Sequence, residues 1–268
     1  MATELSGKVV VVTGSAFGIG RAIALRAAAQ GAMVVIADVP AEEEAGKRTA
    51  AECNAAGSPG SMYVACDVSE GPQVAALMQA AADEYGAIDV VYANAGVGGI
   101  GPGKWAHDVS DEDFMKVVAT NLCGVFHAAK YSLPYLVKSQ GVLVNTGSTF
   151  GMVGSHYAPA YCASKGGVIN LTRQLAVDYG PLGVRVLAIC PGYVSNWMGH
   201  SVGGGEVGDL PDVGARALAP EVSAEAAQSR WETRAGAAEQ QPLARMCSPD
   251  EIASVCSNWR DAWQFCMP

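Results

Sequence analysis

Tyr161-Cys162-Ala163-Ser164-Lys165 falls early in a helical stretch, which sets a phenol and an ammonium one turn apart on the same face. A free phenol titrates at ~10, and a lysine cation held beside it stabilises the phenolate and draws that value toward working pH, as proton-transfer catalysis requires. Thirteen residues before Tyr161, Ser148 closes the run Leu143-Val144-Asn145-Thr146-Gly147-Ser148. If that run is a strand, Ser148 lies at the carboxyl edge where open α/β sheets bind their ligands, and the three side chains converge. Against this stand two plainer readings, a Tyr-x-x-x-Lys on a solvated helix face and a strand-end hydroxyl that caps a turn. A hydrolase built on Ser148 is the chemical rival. Thr146-Gly147-Ser148-Thr149-Phe150 lacks the Gly-x-Ser-x-Gly elbow, however, and no histidine is evidently paired with the serine.

A second constellation begins at Thr13-Gly14-Ser15-Ala16-Phe17-Gly18-Ile19-Gly20, which follows the Val9–Val12 run and opens a helix. Without Cβ atoms at Gly14, Gly18 and Gly20, the backbone can turn tightly and approach a diphosphate, whose charge meets free N–H groups at the helix N-terminus. Asp38 ends Val34-Val35-Ile36-Ala37-Asp38, eighteen residues beyond Gly20. There a carboxylate can accept hydrogen bonds from a ribose diol and repel a 2′-phosphate. No Lys or Arg lies at Ser15, Ala16 or Phe17 or directly after Asp38, so NAD is favoured over NADP. The simpler role for Asp38 is an N-cap for a helix starting at Ala41.

Taken together, these residues resemble the short-chain dehydrogenase/reductase family. Thr13–Gly20 matches its Thr-Gly-x-x-x-Gly-x-Gly turn and Asn94-Ala95-Gly96 its Asn-Ala-Gly element, while Asp67-Val68, Asn121, Ser148, Tyr161/Lys165 and Pro191-Gly192 fall in the family's order. The resemblance runs closely from Leu5 to Gly192 and returns briefly at Pro242–Arg245 and Ser248–Ala253. It implies an oxidoreductase that interconverts a secondary alcohol and a ketone by hydride transfer to or from C4 of the nicotinamide. In that scheme Tyr161 exchanges the hydroxyl proton, and Lys165 lowers the phenol pKa and binds the nicotinamide ribose. Ser148 hydrogen-bonds the substrate oxygen, and Asn121 anchors a water in a proton relay. Cofactor contacts are implied at Gly14, Ser15, Phe17, Gly18, Ile19, Asp38, Asp67, Val68, Asn94, Ala95, Gly96, Tyr161, Lys165, Pro191, Gly192 and Val194. Of these, Asp67 meets the adenine amino group and Asn94 is partly structural. Within the family, reduction of a 3-oxoacyl thioester is the rival activity, and Asp38 opposes the NADP those enzymes favour. Outside it, the rival is a dinucleotide-binding sensor or scaffold without turnover.

The elements that must position these groups are βα units. Strands are expected near Lys8–Thr13, Met33–Asp38, Ser61–Cys66, Ile88–Ala93, Gly141–Gly147 and Val184–Cys190. Between them, Gly18–Gln30, Ala41–Ala56, Glu70–Tyr85, Asp111–Lys138 and Pro159–Tyr179 read as helices, the fourth capped by Ser110 or Asp111. This predicts an α/β fold: a doubly wound, mostly parallel Rossmann-type sheet with helices on both faces, in one domain over 1–268. Residues 193–242, rich in Gly, Ala and Glu, are expected to form a substrate flap. With Phe150, Met152 and Tyr157, the flap's Tyr193, Trp197 and Met198 suggest a small, mainly apolar alcohol or ketone.

Two features depart from the family pattern. Its usual threonine after Pro-Gly is replaced here by Ser195 or Asn196. The tail 254–268 shows nothing like the family's last strand and reads as truncated or frame-altered, so a missing or non-native seventh strand and a weakened assembly are expected.

Composition removes other classes. Among 268 residues, 50% are hydrophobic, and 17 basic against 26 acidic side chains leave a net charge of −9, which disfavours disorder and a polyanionic partner such as nucleic acid. No stretch of eighteen apolar residues occurs, so no membrane span is expected, and the first residues lack the features of a secretory leader. A cytoplasmic protein is the expectation. The eight cysteines are scattered singly without metal-ligand spacing, as are the four histidines; they read as reduced thiols and no metal site is expected. By family analogy, the helices Asp111–Lys138 and Pro159–Tyr179 would pack across a two-fold axis into a homodimer or homotetramer.

Overall fold

Val9-Val10-Val11-Val12 is fully buried as the core of β1 (Val9–Thr13), because β-branched side chains on both faces of a strand suit a sheet covered on both sides. The computed structural model describes residues 4–98, 105–194 and 247–257. Within them, β1 is joined by β2 (Met33–Asp38), β3 (Ser61–Ala65), β4 (Val90–Ala93), β5 (Val142–Thr146) and β6 (Arg185–Ile189) in one sheet of order β3-β2-β1-β4-β5-β6. Every described pairing is parallel, so the residues following each strand share one edge. The doubly wound sheet expected from the sequence is the one observed.

Seven helices are described: α1 (Gly18–Ala29), α2 (Glu43–Ala56), α3 (Gly71–Tyr85), α4 (Asp111–Val118), α5 (Gly124–Ser139), α6 (Pro159–Tyr179) and α7 (Pro249–Ser257). Alternation along the strands divides the core. Val11, Val35, Val91 and Leu143 pack with Leu77, Leu133 and Val168 on one face, whereas Val10, Val12, Val34 and Val142 pack with Ile23, Ala27 and Ala253 on the other.

Beyond shifts of one or two residues at element ends, three features differ from the sequence reading. Expected as one helix, Asp111–Lys138 is two, α4 and α5, separated by a π-helical turn at Ala119–Cys123 in which the Gly124 N–H reaches the Ala119 carbonyl. Ser110, not Asp111, caps α4: its hydroxyl accepts the Asp113 N–H at 3.1 Å. Nor does Asp38 cap a helix, because α2 begins only at Glu43, after a 3-10 turn over Pro40–Glu42. The tail read as atypical from Ser254 is helical through Ser257, in α7. This helix starts with a reciprocal cap, Ser248 Oγ accepting the Glu251 N–H and Glu251 Oε2 accepting the Ser248 N–H. It is fastened to the sheet by the Tyr92 hydroxyl, which donates to the Cys256 carbonyl at 2.9 Å. Residues 258–268, where a missing or non-native seventh strand is expected, and most of the flap lie outside the described residues.

At the opposite edge from the ligand side, Asp89 is buried, with its carboxylate accepting the Val9 N–H at 2.9 Å and the Lys8 ammonium at 2.7 Å. Because Lys8 is half exposed, the bond to the buried N–H dominates. Asp89→Ala is expected to cost about 2 kcal/mol and lower Tm by roughly 4–8 °C in thermal unfolding, and an unchanged Tm would contradict this reading.

Candidate active site

The sheet order reverses between β1 and β4, and the loops after these two strands are bolted together there. Thr13 Oγ1 accepts the N–H groups of Asn94 (3.0 Å) and Ala95 (3.1 Å), and Asn94 Nδ2 donates to the carbonyls of Thr13 and Gly14, each at 3.0 Å. Gly14 has φ +63°, and a Cβ on it would lie 2.6 Å from Ala95 Cα, so the turn admits only glycine. Gly18 and Ile19 begin α1 behind Phe17, a helix start with no side-chain cap and no acid in its first turn. Such a start is suited to a diphosphate, because uncapped N–H groups and the positive end of the helix dipole face it. Phe17 itself is packed with Ala16 and Ala45.

Ser15 is fully buried, its hydroxyl donating to the Val12 carbonyl at 2.7 Å and accepting the Ala37 N–H at 3.1 Å. Its side chain therefore ties the turn to β2. Asp38 Oδ2 accepts the Ala16 N–H and Oδ1 the Val39 N–H, both at 2.9 Å. Burial raises the Asp38 pKa above the ordinary carboxylate value, against the lowering effect of those two N–H bonds. After β3, Asp67 Oδ1 accepts the Ser69 N–H and hydroxyl, and Val68 is buried with its carbonyl 2.9 Å from His127 Nδ1.

The catalytic candidates meet on the other side of the switch. Lys165 is 3% exposed, and its ammonium donates to the Thr146 carbonyl at 2.7 Å and lies 5.9 Å from the centroid of the Tyr161 ring. Burial lowers the Lys165 pKa to about 8, offset in part by Cys190. Ser148 follows β5 two residues after that carbonyl, extended and buried, its hydroxyl accepting the Phe150 N–H at 3.2 Å. The turn Thr149–Gly151 presses on α6 at Lys165 itself, where a Cβ on Gly151 would be 2.6 Å from the Lys165 carbonyl. Asn121 sits in the π turn with no exposed surface; its amide brackets Val97, accepting the N–H at 2.7 Å and donating to the carbonyl at 2.9 Å. Gly96, which follows Ala95, passes close by, since a Cβ there would be 3.1 Å from Asn121 Oδ1 and 3.4 Å from Lys165 Nζ.

After β6, the Pro191 carbonyl accepts the Thr149 N–H at 3.1 Å, Gly192 continues the chain, and Val194 bridges to Cys247. Ser195, Asn196, Trp197 and Met198 lie outside the described residues.

Several contributors carried no readable sequence signal. Ser164, inside the Tyr-x-x-x-Lys motif, accepts from Asn121 Nδ2 at 3.2 Å and donates to the Tyr161 carbonyl at 2.9 Å, joining the π turn to α6. Asn145 Nδ2 donates to Thr172 Oγ1 at 2.9 Å and fixes α6 against β5. Cys190 takes the Ser148 N–H on its sulfur, and burial holds its thiol above the usual range although Lys165 and Arg173 oppose that. Each is visible only once β5, β6 and α6 are assembled.

The fold and this edge are those of an enzyme that binds a nicotinamide dinucleotide. Residues 8–206 match the short chain dehydrogenase family, and the chain belongs to that family. Meso-2,3-butanediol dehydrogenase of Serratia marcescens is 40% identical over 195 residues, covering 73% of this chain and 74% of that one. Cis-4-hydroxycyclohexanecarboxylate dehydrogenase of Sinomonas cyclohexanicum is 35% identical over 256 residues, covering 95% and 90%. The crystal structure of levodione reductase superposes with a TM-score of 0.77 at 32% identity, covering 95% of this chain and 90% of that one.

Because the folded Lys165 titrates below an unfolded-chain lysine, its buried charge opposes folding at pH below about 8, and the opposition fades as pH rises from there toward 10.5. That shift is worth about 3 kcal/mol, at least as much as the roughly 1.5–3 kcal/mol of a charged hydrogen bond such as that to Thr146. Apo Lys165→Met is expected to melt at or above wild type at neutral pH, with its advantage shrinking as the solution is made alkaline. A Tm lower by the same amount at every pH would contradict the assignment.

Proposed function

We propose that the protein is an NAD-dependent dehydrogenase or reductase that interconverts a secondary alcohol and the matching ketone, with Tyr161 as the general acid/base. The observation that carries this reading is the buried Lys165 ammonium, fixed on the Thr146 carbonyl and facing the Tyr161 ring. Bound NAD supplies the hydride acceptor at its nicotinamide ring. In alcohol oxidation Ser148 holds the substrate oxygen, Tyr161 takes its proton, and the Lys165 charge stabilises the negative charge that forms on the phenol oxygen. Asn121 orders the turn beside Lys165 and serves the proton relay. The Asp38 carboxylate accepts the adenosine ribose hydroxyls and repels a 2′-phosphate. Gly14, Gly18, Ile19 and the Ser15 backbone line the diphosphate, Asp67 and Val68 meet the adenine, and Ala95, Gly96, Pro191, Gly192 and Val194 border the nicotinamide half.

A small, mainly apolar substrate suits the aromatic groups carried between β5 and α6 and their ring partners. Phe150 and Tyr193 meet edge to face at 5.8 Å, as do Trp105 and Tyr157 at 5.1 Å. A cleft of about 200 Å³ lined by Trp105, His156, Tyr157 and Pro159, among others, opens beside the start of α6. The relatives named above act on a butanediol and a hydroxycyclohexanecarboxylate, whose hydroxyls are secondary, which supports a secondary alcohol as the reacting group. Exposed Met115 on α4, Phe126 on α5 and Val177 on α6 support assembly into a homodimer or homotetramer through these helices. No helix among the described residues is long and apolar enough to cross a membrane.

Incubation with NAD and a panel of secondary alcohols, followed by the absorbance of reduced nicotinamide, is expected to show turnover. In Tyr161→Phe, kcat is expected to fall by roughly 10²–10⁴ while NADH affinity stays within about twofold. Binding without turnover in wild type and variant alike would favour a dinucleotide sensor instead.

A further inference from the structure

β3 lies beside β2 in a register that pairs Ile36 with Tyr63 and Asp38 with Ala65. The Tyr63 phenol nevertheless reaches beyond its own partner to the end of β2, where its hydroxyl lies 3.1 Å from the carbonyls of both Asp38 and Val39 and donates to this pair. It can do so because α2 presents Gly46 there: a Cβ at that position would stand 2.3 Å from Tyr63 Cδ2 and Cε2. Other bonds at this corner are short as well. The Asp38 carbonyl also accepts the Cys66 N–H at 2.7 Å, and the Val39 carbonyl accepts the Glu42 N–H at 2.9 Å. The Asp38 carboxylate is meanwhile held by the Ala16 and Val39 N–H groups. Burial, with the charges of Asp38, Glu43 and Glu42 around it, pushes the Tyr63 phenol up to about 12, so it remains a donor through the neutral range.

We propose that Tyr63, seated on Gly46, is a positioning residue for dinucleotide selectivity: it clamps the Asp38–Val39 corner so that the Asp38 carboxylate stays aimed at a ribose 2′-hydroxyl and cannot swing aside for a 2′-phosphate. The inference rests on the NAD reading above. A corner anchored on both its backbone carbonyls and its carboxylate has to break several bonds before the acid can retreat, and loss of the phenol donor removes the one side-chain anchor from β3, leaving the Cys66 N–H on the Asp38 carbonyl and nothing from β3 on the Val39 carbonyl.

The test is equilibrium binding of NADH and of NADPH to the full chain without substrate, read by nicotinamide fluorescence. Tyr63→Phe keeps the ring against Gly46 and removes only the donor. NADH is expected to bind it roughly three- to tenfold more weakly, while NADPH affinity holds or improves, so the selectivity ratio narrows by at least as much. Gly46→Ala, whose Cβ would stand 2.3 Å from the ring and force it off its seat, is expected to shift the ratio in the same direction. With a secondary alcohol, Tyr63→Phe should raise KM for NAD and leave kcat within about twofold. Equal weakening of both dinucleotides, or an unchanged ratio with only a lower Tm, would reduce Tyr63 to a packing role and overturn the proposal. A wild type that prefers NADPH would overturn the NAD reading and this proposal with it, whereas a wild type that prefers NADH beside variants of unaltered selectivity would overturn the proposal alone.

Discussion

A positive charge stripped of water has to be held by something, and in this protein the Thr146 carbonyl holds it. Lys165 Nζ donates to that oxygen at 2.7 Å from a side chain only 3% exposed. Strand β5 fixes the carbonyl, helix α6 fixes the lysine, and the Tyr161 ring stands one turn away on the same helix. Much of the surrounding packing reads as support for this contact. The bond from Asn145 to Thr172 sets the height of α6 over β5, Gly151 lets the turn after Ser148 lie directly on the Lys165 backbone, and Ser164 and Asn121 join α6 to the π turn. Desolvation of the ammonium is unfavourable for folding and useful for chemistry, since a weakly solvated charge acts more strongly on a neighbouring phenol.

The dinucleotide half of the site depends on a different joint. Asn94 and Thr13 lock the loop after β4 to the turn after β1 at the place where the strand order reverses. The Asn94 side chain is spent on this joint, its amide donating to the Thr13 and Gly14 carbonyls. Ser15 behaves similarly, its hydroxyl spent inside the sheet edge rather than offered to a ligand. Side chains that spacing marks as binding residues thus divide into those that face the cleft and those that hold its walls.

The central strands are legible because burial on both faces forces near-continuous apolar runs rich in Val, and the motif residues are legible because their spacing is tied to strand ends. The break between α4 and α5 was not, since a π turn changes hydrogen bonding by one residue without disturbing the apolar periodicity around Asn121. Equally invisible were the roles of Thr146, Cys190 and Tyr63. Thr146 acts through its backbone carbonyl, Cys190 through a sulfur that meets Ser148 only when β6 lies beside β5, and Tyr63 through a reach past the end of the neighbouring strand. The helical continuation through Ser257 is hidden for another reason: the tail carries no family strand motif, and only the reciprocal cap formed by Ser248 and Glu251 marks a helix start.

The buried charge at Lys165 is tested most directly by following the titration of lysine ε-carbons by NMR in wild type and Lys165→Met. One resonance with a midpoint at about 8, absent from the variant, is the expected result. If every lysine, Lys165 included, titrates at the ordinary value of 10.5, the ammonium is solvated and the arrangement described around it is contradicted.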